Sequence, residues 1–242
     1  MKRVLITGAN KGIGRATVAA ALAARDAAVA LPGSRSEARR EEARQAILRD
    51  HPDFAERLEV LPIDVSDDAS VAAAAARVAE RFGREPVPLY GLVNNAGIGL
   101  SGESLARILA VNTHGPKRVV DAFESLLDPR GRIVNVSSAS GPMYVAKCSP
   151  ARQRAFTLPD VTWEDVEAVM AEALALAAGG DLATAGLGNN FYGFSKACLN
   201  AYTIALARRF PERTVNACTP GYIATDLTLG RAGGADPASL GM

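Results

Sequence analysis

The stretch TGANKGIG at residues 7–14 decides the fold, because it begins where a short apolar run ends and leads into a helical pattern. The run RVLIT predicts a buried strand at 3–7, and the later residues predict a helix over about 13–25. A turn this tight needs residues without side chains where backbone meets a phosphate, and a helix N-terminus offers free N–H groups. We therefore predict a dinucleotide site here, the alternative being a purely structural glycine turn. Its predicted residues are Gly8, Asn10, Lys11, Gly12, Ile13 and Gly14.

Outward from this turn, short apolar runs alternate with alanine-rich helical patterns. Further strands are predicted at 27–31, 58–63, 89–93, 131–137 and 213–218, and helices at 36–50, 67–82, within 103–128, at 162–178 and from near 192. Apolar strands that alternate with helices indicate a parallel sheet covered on both faces. We expect one α/β domain over residues 1–242, a doubly wound parallel sheet (Rossmann fold) with ligands at the carboxyl ends of its strands.

Composition and charge exclude several classes of function. The chain has 27 basic and 26 acidic residues, so nothing marks it as a binder of nucleic acid or membrane surfaces. Its three cysteines form no CxxC pair, which argues against a disulfide framework or a metal site and suggests a reducing compartment. The chain enters a strand pattern without a signal peptide. We expect a cytoplasmic protein that acts on a small molecule and has neither a nucleic-acid nor a membrane partner.

The end of the second predicted strand bears on the choice between NAD and NADP. NAD binders usually place an acid there to accept from the ribose 2′-hydroxyl. This chain reads LPGSRSEARR, without an acid directly after the strand and with Arg35 and Arg39 nearby. These arginines and Lys11 would be charge-assisted partners for a 2′-phosphate, so NADP(H) is favoured. The alternative is that the arginines form a solvated helix face, which fits Arg40 and Arg44 better than Arg35.

Two further segments fit the same cofactor. Asp64 and Val65 follow the third strand, where a carboxylate can accept from the adenine amino group, although Asp64 would equally serve as a helix cap. The segment NNAG follows the fourth strand, and its small residues let backbone lie close to the adenosine ribose. Its predicted contacts are Asn94, Ala96 and Gly97.

Near the start of the last predicted helix, the segment YGFSK places Tyr192 four residues before Lys196. Hydride delivered to a carbonyl carbon leaves negative charge on oxygen, so a hydrogen-bond donor must sit there and a proton must follow. A free tyrosine, with a pKa of about 10, is a poor acid at neutral pH, and a nearby ammonium lowers that pKa. Residues i and i+4 share a helix face, so Lys196 can lie beside Tyr192.

Taken in order, TGANKGIG, NNAG, VNTHG, NVSS, YGFSK and PGYIATD resemble the motifs of the short-chain dehydrogenase/reductase family, over nearly the whole chain. The resemblance implies that Tyr192 is the proton donor and that Lys196 holds the nicotinamide ribose and tunes the tyrosine. It implies that Ser138, rather than Ser137, hydrogen-bonds the substrate oxygen and that Asn112 helps to position a water. It also implies cofactor contacts at Pro220, Gly221, Tyr222, Ile223 and Thr225.

A second tyrosine–lysine pair lies in MYVAK, where Tyr144 precedes Lys147 by three residues. This spacing is one residue short of the family pattern, and no long apolar-periodic helix follows it. We therefore expect Tyr144 to be a pocket or loop residue.

Residues 139–189 form an insertion before the helix that carries Tyr192. It contains a predicted helix opened by Thr162, with Asp165 at the capping-box position. The insertion resembles that of the monomeric carbonyl-reductase branch, in which the extra helix covers the surface used elsewhere for tetramers, so a monomer is expected. The alternative, that the insertion lines one wall of the pocket, is compatible with this. The predicted buried stripe is Val166, Val169, Met170, Leu174 and Ala177.

The chain departs from the family pattern in two places. The segment between Gly97 and Asn112 is shorter than usual for this branch. After PGYIATDLT the chain has only a small, polar segment, so we expect a truncated C-terminus, six strands instead of seven, and an incomplete lid over the nicotinamide.

The sequence as a whole predicts an NADPH-dependent carbonyl reductase that acts on ketones, aldehydes or quinones. One alternative is an alcohol dehydrogenase of the same fold that works in the oxidative direction. Another is a non-catalytic dinucleotide-binding module with a redox-sensing or scaffolding role. The substrate itself is not determined by the sequence, because the segments that face it vary in such folds.

Overall fold

One parallel sheet of six strands organises the part of the chain that the computed structural model describes, residues 2–24, 27–34, 36–99, 102–179, 187, 190–221, 223 and 225. The sheet has the order β3-β2-β1-β4-β5-β6. This order confirms the doubly wound α/β prediction, and the residues after Thr225 lie outside the described part. The strands are β1 (Lys2–Thr7), β2 (Ala27–Ser34), β3 (Leu61–Pro62), β4 (Leu89–Asn94), β5 (Leu127–Val136) and β6 (Thr214–Cys218).

Helices cover both faces of the sheet, as successive residues of β1 show. Leu5 packs in a cluster with the helices of one face, and Ile6 packs with those of the other, because side chains alternate along a strand. No helix in the described ranges is long and apolar enough to span a membrane. The helices are α1 (Gly12–Ala23), α2 (Glu37–Asp50), α3 (Asp68–Phe82), α4 (Leu105–Asn112), α5 (His114–Phe123), α6 (Ser140–Val145), α7 (Pro150–Thr157), α8 (Trp163–Gly179) and α9 (Phe191–Arg209).

Four predicted elements differ from the structure in extent, and one of them is β2, which runs to Ser34 instead of ending at residue 31. The strand predicted at 58–63 contracts to β3, an edge strand that includes Pro62, which has no N–H to donate to a ladder. The helix predicted within 103–128 is two helices, α4 and α5, separated at Thr113. Strand β5 begins earlier than predicted, because the turn-like residues 128–131 are accommodated as a register irregularity against β4.

The insertion contains three helices in its described part, of which only α8 was predicted. The capping box of α8 is confirmed, since Thr162 N donates to Asp165 Oδ2 at 2.9 Å and Asp165 N donates to Thr162 Oγ1 at 3.2 Å. The apolar stripe of α8 is buried at Val166, Val169 and Met170 and half-buried at Leu174 and Ala177.

The expectation that Tyr144 is a pocket or loop residue is wrong. Tyr144 belongs to α6 and is only 4% exposed. Its ring meets Phe156 of α7 edge-on at 6.3 Å and lies 5.6 Å from the ring of Phe194 in α9. The unpredicted helix α7 and the helix α9 thus give this tyrosine aromatic partners that the spacing pattern did not reveal.

Candidate active site

A cavity of about 600 Å³ lies at the carboxyl ends of the strands. Strand β1 has β2 on one side and β4 on the other, so the chain changes direction across the sheet at this point, where doubly wound folds bind ligands. The cavity is lined by the predicted glycine turn and also by Ser138, Tyr192 and Lys196. The fold therefore brings together three side chains that lie far apart in the sequence.

The glycine turn packs against the loop after β4 too closely for side chains. A Cβ at Gly8, where φ is +65°, would lie 2.7 Å from the Cα of Ala96. A Cβ at Gly14 would lie 2.5 Å from Asn95 Nδ2. Within the described residues no side chain caps the start of α1 at Lys11, and the first turn of this helix carries no acid. The backbone N–H groups and partial positive charge of this helix start suit a pyrophosphate.

Asn95, which sequence reasoning did not select, ties the two loops together. Its Nδ2 donates to the carbonyl oxygens of Thr7 at 2.9 Å and Gly8 at 3.2 Å. The predicted contact Asn94 does not line the cavity: it is 2% exposed, and its Nδ2 donates to Asn135 Oδ1 in the core. Successive residues at a strand end point to opposite sides, and this alternation is the signal that distinguishes the two asparagines.

The end of β2 contributes polar and basic groups to the cavity. Ser34 and Ser36 line it together with Arg39 of α2 and Lys11 of the glycine turn, and Ser36 caps α2 by accepting from Arg39 N at 3.4 Å. The first two were missed by sequence reasoning. Arg35 lies outside the described residues.

Two other arginines of α2 were expected on a solvated face. Arg40 instead donates from its guanidinium to the carbonyl oxygen of Ser34 at 2.8 Å, which closes the end of β2. Arg44 pairs with Glu41 of the same helix at 3.6 Å.

Asp64 and Val65 both line the cavity, and their contact with the cofactor stays a prediction. Asp64 Oδ1 accepts from the backbone N of Ser66 at 2.9 Å and from its hydroxyl at 2.7 Å. The alternative role of Asp64 as a helix cap is wrong, because α3 is capped by Asp67, whose carboxylate accepts from Ala69 N at 2.8 Å.

Ser138 and Tyr192 line the same cavity, and the Ser138 hydroxyl lowers the pKa of Tyr192. Ser138 Oγ also accepts from the backbone N of Ser140 at 3.1 Å. The hydroxyl of Ser137 is directed elsewhere and donates to the carbonyl oxygen of Lys196 at 3.4 Å. Of the two adjacent serines, Ser138 is thus the one whose hydroxyl acts on the tyrosine.

Close packing of α6 on α9 brings this serine and tyrosine together. A Cβ at Gly193 would lie 2.9 Å from the carbonyl oxygen of Ser140, and one at Gly141 would lie 3.0 Å from the carbonyl carbon of Lys196. Both glycines therefore let the helix backbones approach. Ser140 is the residue of the described insertion that lines the cavity, so the insertion contributes little of the wall.

Lys196 lies beside Tyr192, with Nζ 5.7 Å from the tyrosine ring centroid. It is 4% exposed, and burial lowers its pKa from 10.5 to about 8. Burial raises the pKa of Tyr192, and the group that counteracts this is the Ser138 hydroxyl. The expected lowering of the tyrosine pKa by the ammonium is therefore not what this geometry produces.

Asn112 lies outside the cavity lining and is fully buried. Its Oδ1 accepts from Ile98 N at 2.9 Å, and its Nδ2 donates to Ile98 O at 2.8 Å and to Ser195 Oγ at 3.0 Å. Ser195 Oγ in turn donates to the carbonyl oxygen of Tyr192 at 2.8 Å. This asparagine thus joins the loop after β4 to the helix that carries Tyr192; its role in positioning a water stays a prediction.

The segment after β6 closes one side of the cavity. Pro220, Gly221, Ile223 and Thr225 line it, and their predicted contacts with the cofactor stay predictions, whereas Tyr222 lies outside the described residues. Further lining residues without a sequence signal of their own are Ile98, Gly99, Glu103 and Thr219.

Comparisons with known proteins point to one family. The sequence model described as short chain dehydrogenase matches residues 2–150. The chain is 32% identical to (-)-isopiperitenone reductase of Mentha piperita, covering 93% of this chain and 85% of the relative. It is 29% identical to carbonyl reductase (NADPH) 1 of Rattus norvegicus, covering 92% and 82%. The solved structure of salutaridine reductase from Papaver somniferum matches with a TM-score of 0.83 at 25% identity, covering 95% of this chain and 90% of that one.

Proposed function

The chain belongs to the short chain dehydrogenase family, and from that premise we propose that it is an NADPH-dependent carbonyl reductase for ketones, aldehydes or quinones. The observation that carries the proposal is the convergence of Ser138, Tyr192 and Lys196 on a cavity that also holds the glycine turn. Relatives named as reductases, at about 30% identity over most of the chain, support the reductive direction.

Ser138, Tyr192 and Lys196 have different roles in the proposed reduction of a carbonyl group. Bound NADPH supplies the hydride, which leaves negative charge on the carbonyl oxygen. Ser138 and Tyr192 line the same cavity, and the Ser138 hydroxyl is near enough to lower the pKa of Tyr192, so both hydroxyls can reach one oxygen placed between them. Tyr192 transfers its proton to that oxygen, and its raised pKa keeps it protonated at neutral pH. The Lys196 ammonium, 5.7 Å from the ring, offsets the charge of the phenolate that forms.

The preference for NADPH rests on charge at the end of β2. Lys11 and Arg39 line the cavity, and the sequence places no carboxylate between Gly33 and Ser36 to accept from a ribose 2′-hydroxyl. Cations at this place attract a 2′-phosphate. The rat relative named as an NADPH enzyme supports the same assignment.

We extend the proposal to a cytoplasmic monomer. Helix α8 packs over α9, where the indole of Trp163 meets the ring of Tyr202 edge-on at 5.1 Å. The insertion therefore occupies an outer face of α9 that would otherwise be open to a second subunit. The reducing compartment follows from the cysteine pattern. Light scattering on protein eluting from a size-exclusion column measures the mass of the particle in solution, and a stable tetramer would refute the monomer.

Turnover with a panel of carbonyl compounds tests the proposed activity. NADPH absorbance is followed for wild type, Tyr192→Phe and the matched control Tyr144→Phe, which removes a hydroxyl from the core of the insertion. We expect Tyr192→Phe to lower kcat by about 10²- to 10⁴-fold, the usual contribution of a general acid. Tyr144→Phe should turn over as wild type does. NADPH binding without turnover on any carbonyl would favour the non-catalytic module, and full activity of Tyr192→Phe would exclude it as the proton donor.

A further inference from the structure

Gly99, in the loop after β4, lies directly against the ring of Tyr192. A Cβ at Gly99 would be 3.1 Å from Tyr192 Cδ2 and 3.3 Å from Ile108 Cγ1. The φ of Gly99 is +131°, a conformation that residues with a side chain rarely adopt. Both the tight space and the backbone conformation at this position therefore favour glycine.

The loop that presents Gly99 is held on the same helix as the tyrosine. Asn112 hydrogen-bonds both the N–H and the carbonyl oxygen of Ile98, the residue before Gly99. The same amide reaches Ser195 Oγ, which donates to the backbone carbonyl of Tyr192. The loop and the tyrosine are thus fixed relative to one another by a continuous set of hydrogen bonds.

We propose that Gly99 is a positioning residue for Tyr192, a role that rests on the proposed function of this tyrosine as proton donor. The Gly99 backbone supports one edge of the phenol ring, while the Ser138 hydroxyl acts on the hydroxyl of the ring from within the cavity. A methyl group at position 99 has Ile108 on its other side, so the methyl group is crowded from both directions and pushes on the ring, on Ile108 and on the loop. Displacement of the ring shifts its hydroxyl relative to Ser138 and misplaces the proton.

The chain offers a matched control for this position. Gly102 lies in the same loop with φ +82°, and a Cβ there would meet nothing within 4 Å. Gly102→Ala therefore carries the backbone penalty of a side chain at positive φ without any contact with Tyr192. A comparison of Gly99→Ala with Gly102→Ala separates the ring contact from general strain of the loop.

Two readouts are measured on both variants. The first is NMR of protein labelled with ¹³C at the tyrosine Cζ, in which Tyr192→Phe assigns the Tyr192 signal among the five tyrosines. The second is kcat for a carbonyl substrate, with the Kd for NADPH from its fluorescence. We expect Gly99→Ala to shift the Tyr192 signal and to lower kcat by about tenfold to a hundredfold, since a small misplacement of a reacting group costs this much. Gly102→Ala should leave the Tyr192 signal in place and kcat within about twofold.

Other outcomes overturn the proposal. An unchanged Tyr192 signal in folded Gly99→Ala does so, and so does an equal loss of kcat in both variants. If Gly99→Ala does not fold, Gly99→Ala/Ile108→Val takes its place, because loss of Ile108 Cδ1 relieves crowding on the far side while the contact with the ring stays. A smaller shift of the same signal is then expected, and no shift contradicts the contact. If the wild type turns over no carbonyl compound but Gly99→Ala still shifts the Tyr192 signal, the proposed function is refuted and the contact between Gly99 and Tyr192 is not.

Discussion

Lys196 donates from Nζ to the carbonyl oxygen of Val136 at a distance of 2.8 Å, at the end of β5. This bond anchors a buried ammonium whose pKa is lowered from 10.5 to about 8 by desolvation. At neutral pH the protein therefore holds a charge where burial opposes it. Such a charge is costly for the fold and useful beside a phenol that must release a proton.

Lys196→Met should stabilise the fold at neutral pH. A pKa lowered from 10.5 to about 8 corresponds to at most about 3 kcal/mol in the free energy of unfolding. The cost of the charge is fully present below about pH 8, where folded and unfolded states are both protonated. It disappears as the pH rises toward 10.5, because the folded state is already neutral while the unfolded state still loses its proton. Urea unfolding of both proteins at about pH 7 and about pH 10 measures this, and a variant less stable than wild type at neutral pH would contradict it.

Reduction at limiting NADPH should slow down as the pH rises through about 8. The ratio kcat/KM for NADPH reports groups of the free enzyme, and in the free enzyme Lys196 loses its positive charge near that pH. The raised pKa of Tyr192 keeps the proton donor protonated over the same range. Initial rates from about pH 6 to about pH 10 give the profile. A flat profile would show that the ammonium is not needed for this step.

Ser138→Ala should lower kcat by about a hundredfold, because a hydroxyl aimed at the developing oxyanion is removed. The adjacent Ser137→Ala is the matched control, since its hydroxyl donates to a helix carbonyl, and it should cost less than about tenfold. The serine also lowers the pKa of Tyr192, so Ser138→Ala should raise that pKa further. Steady-state kinetics and thermal unfolding of both variants test this assignment; an equal loss in the two would reject it.

Arg39→Glu should weaken NADPH binding by about tenfold to a hundredfold, the range for a lost hydrogen bond between charged groups. Binding of NADH should change much less, since NADH lacks the 2′-phosphate. Arg44→Glu, on the same helix but outside the cavity lining, provides the control for added negative charge. Fluorescence titration with the two cofactors measures the ratio. Equal weakening of NADPH and NADH would place Arg39 away from the 2′-phosphate.

Local sequence patterns were sufficient to predict much of the fold. The strand–turn–helix around TGANKGIG and the capping box of Thr162 and Asp165 were predictable, because each depends on neighbours a few residues away. The extent of β3 and the division between α4 and α5 were not predictable in this way. The first depends on the pairing of an edge strand that contains a proline, and the second depends on how the helices on either side of Thr113 pack.

The candidate site shows the same division. Ser138, Tyr192 and Lys196 were selected from motifs, and the structure places them on one cavity. Asn94 was predicted to line the cavity, but Asn95 does so instead. This difference could not be recognised from the motif, because it depends on which side of the sheet each residue faces.

By itself, the sequence determined the residue types and their order along the chain: a glycine turn for phosphate, a tyrosine–lysine pair on one helix face, and a doubly wound sheet to carry them. Only the tertiary structure decided which partner each of these groups has. The Tyr192 hydroxyl meets Ser138 because α6 packs closely on α9, and the Tyr192 ring meets Gly99 because Asn112 holds the loop. The directions of both pKa shifts, upward for Tyr192 and downward for Lys196, follow from burial, which is a property of the folded chain rather than of any short segment.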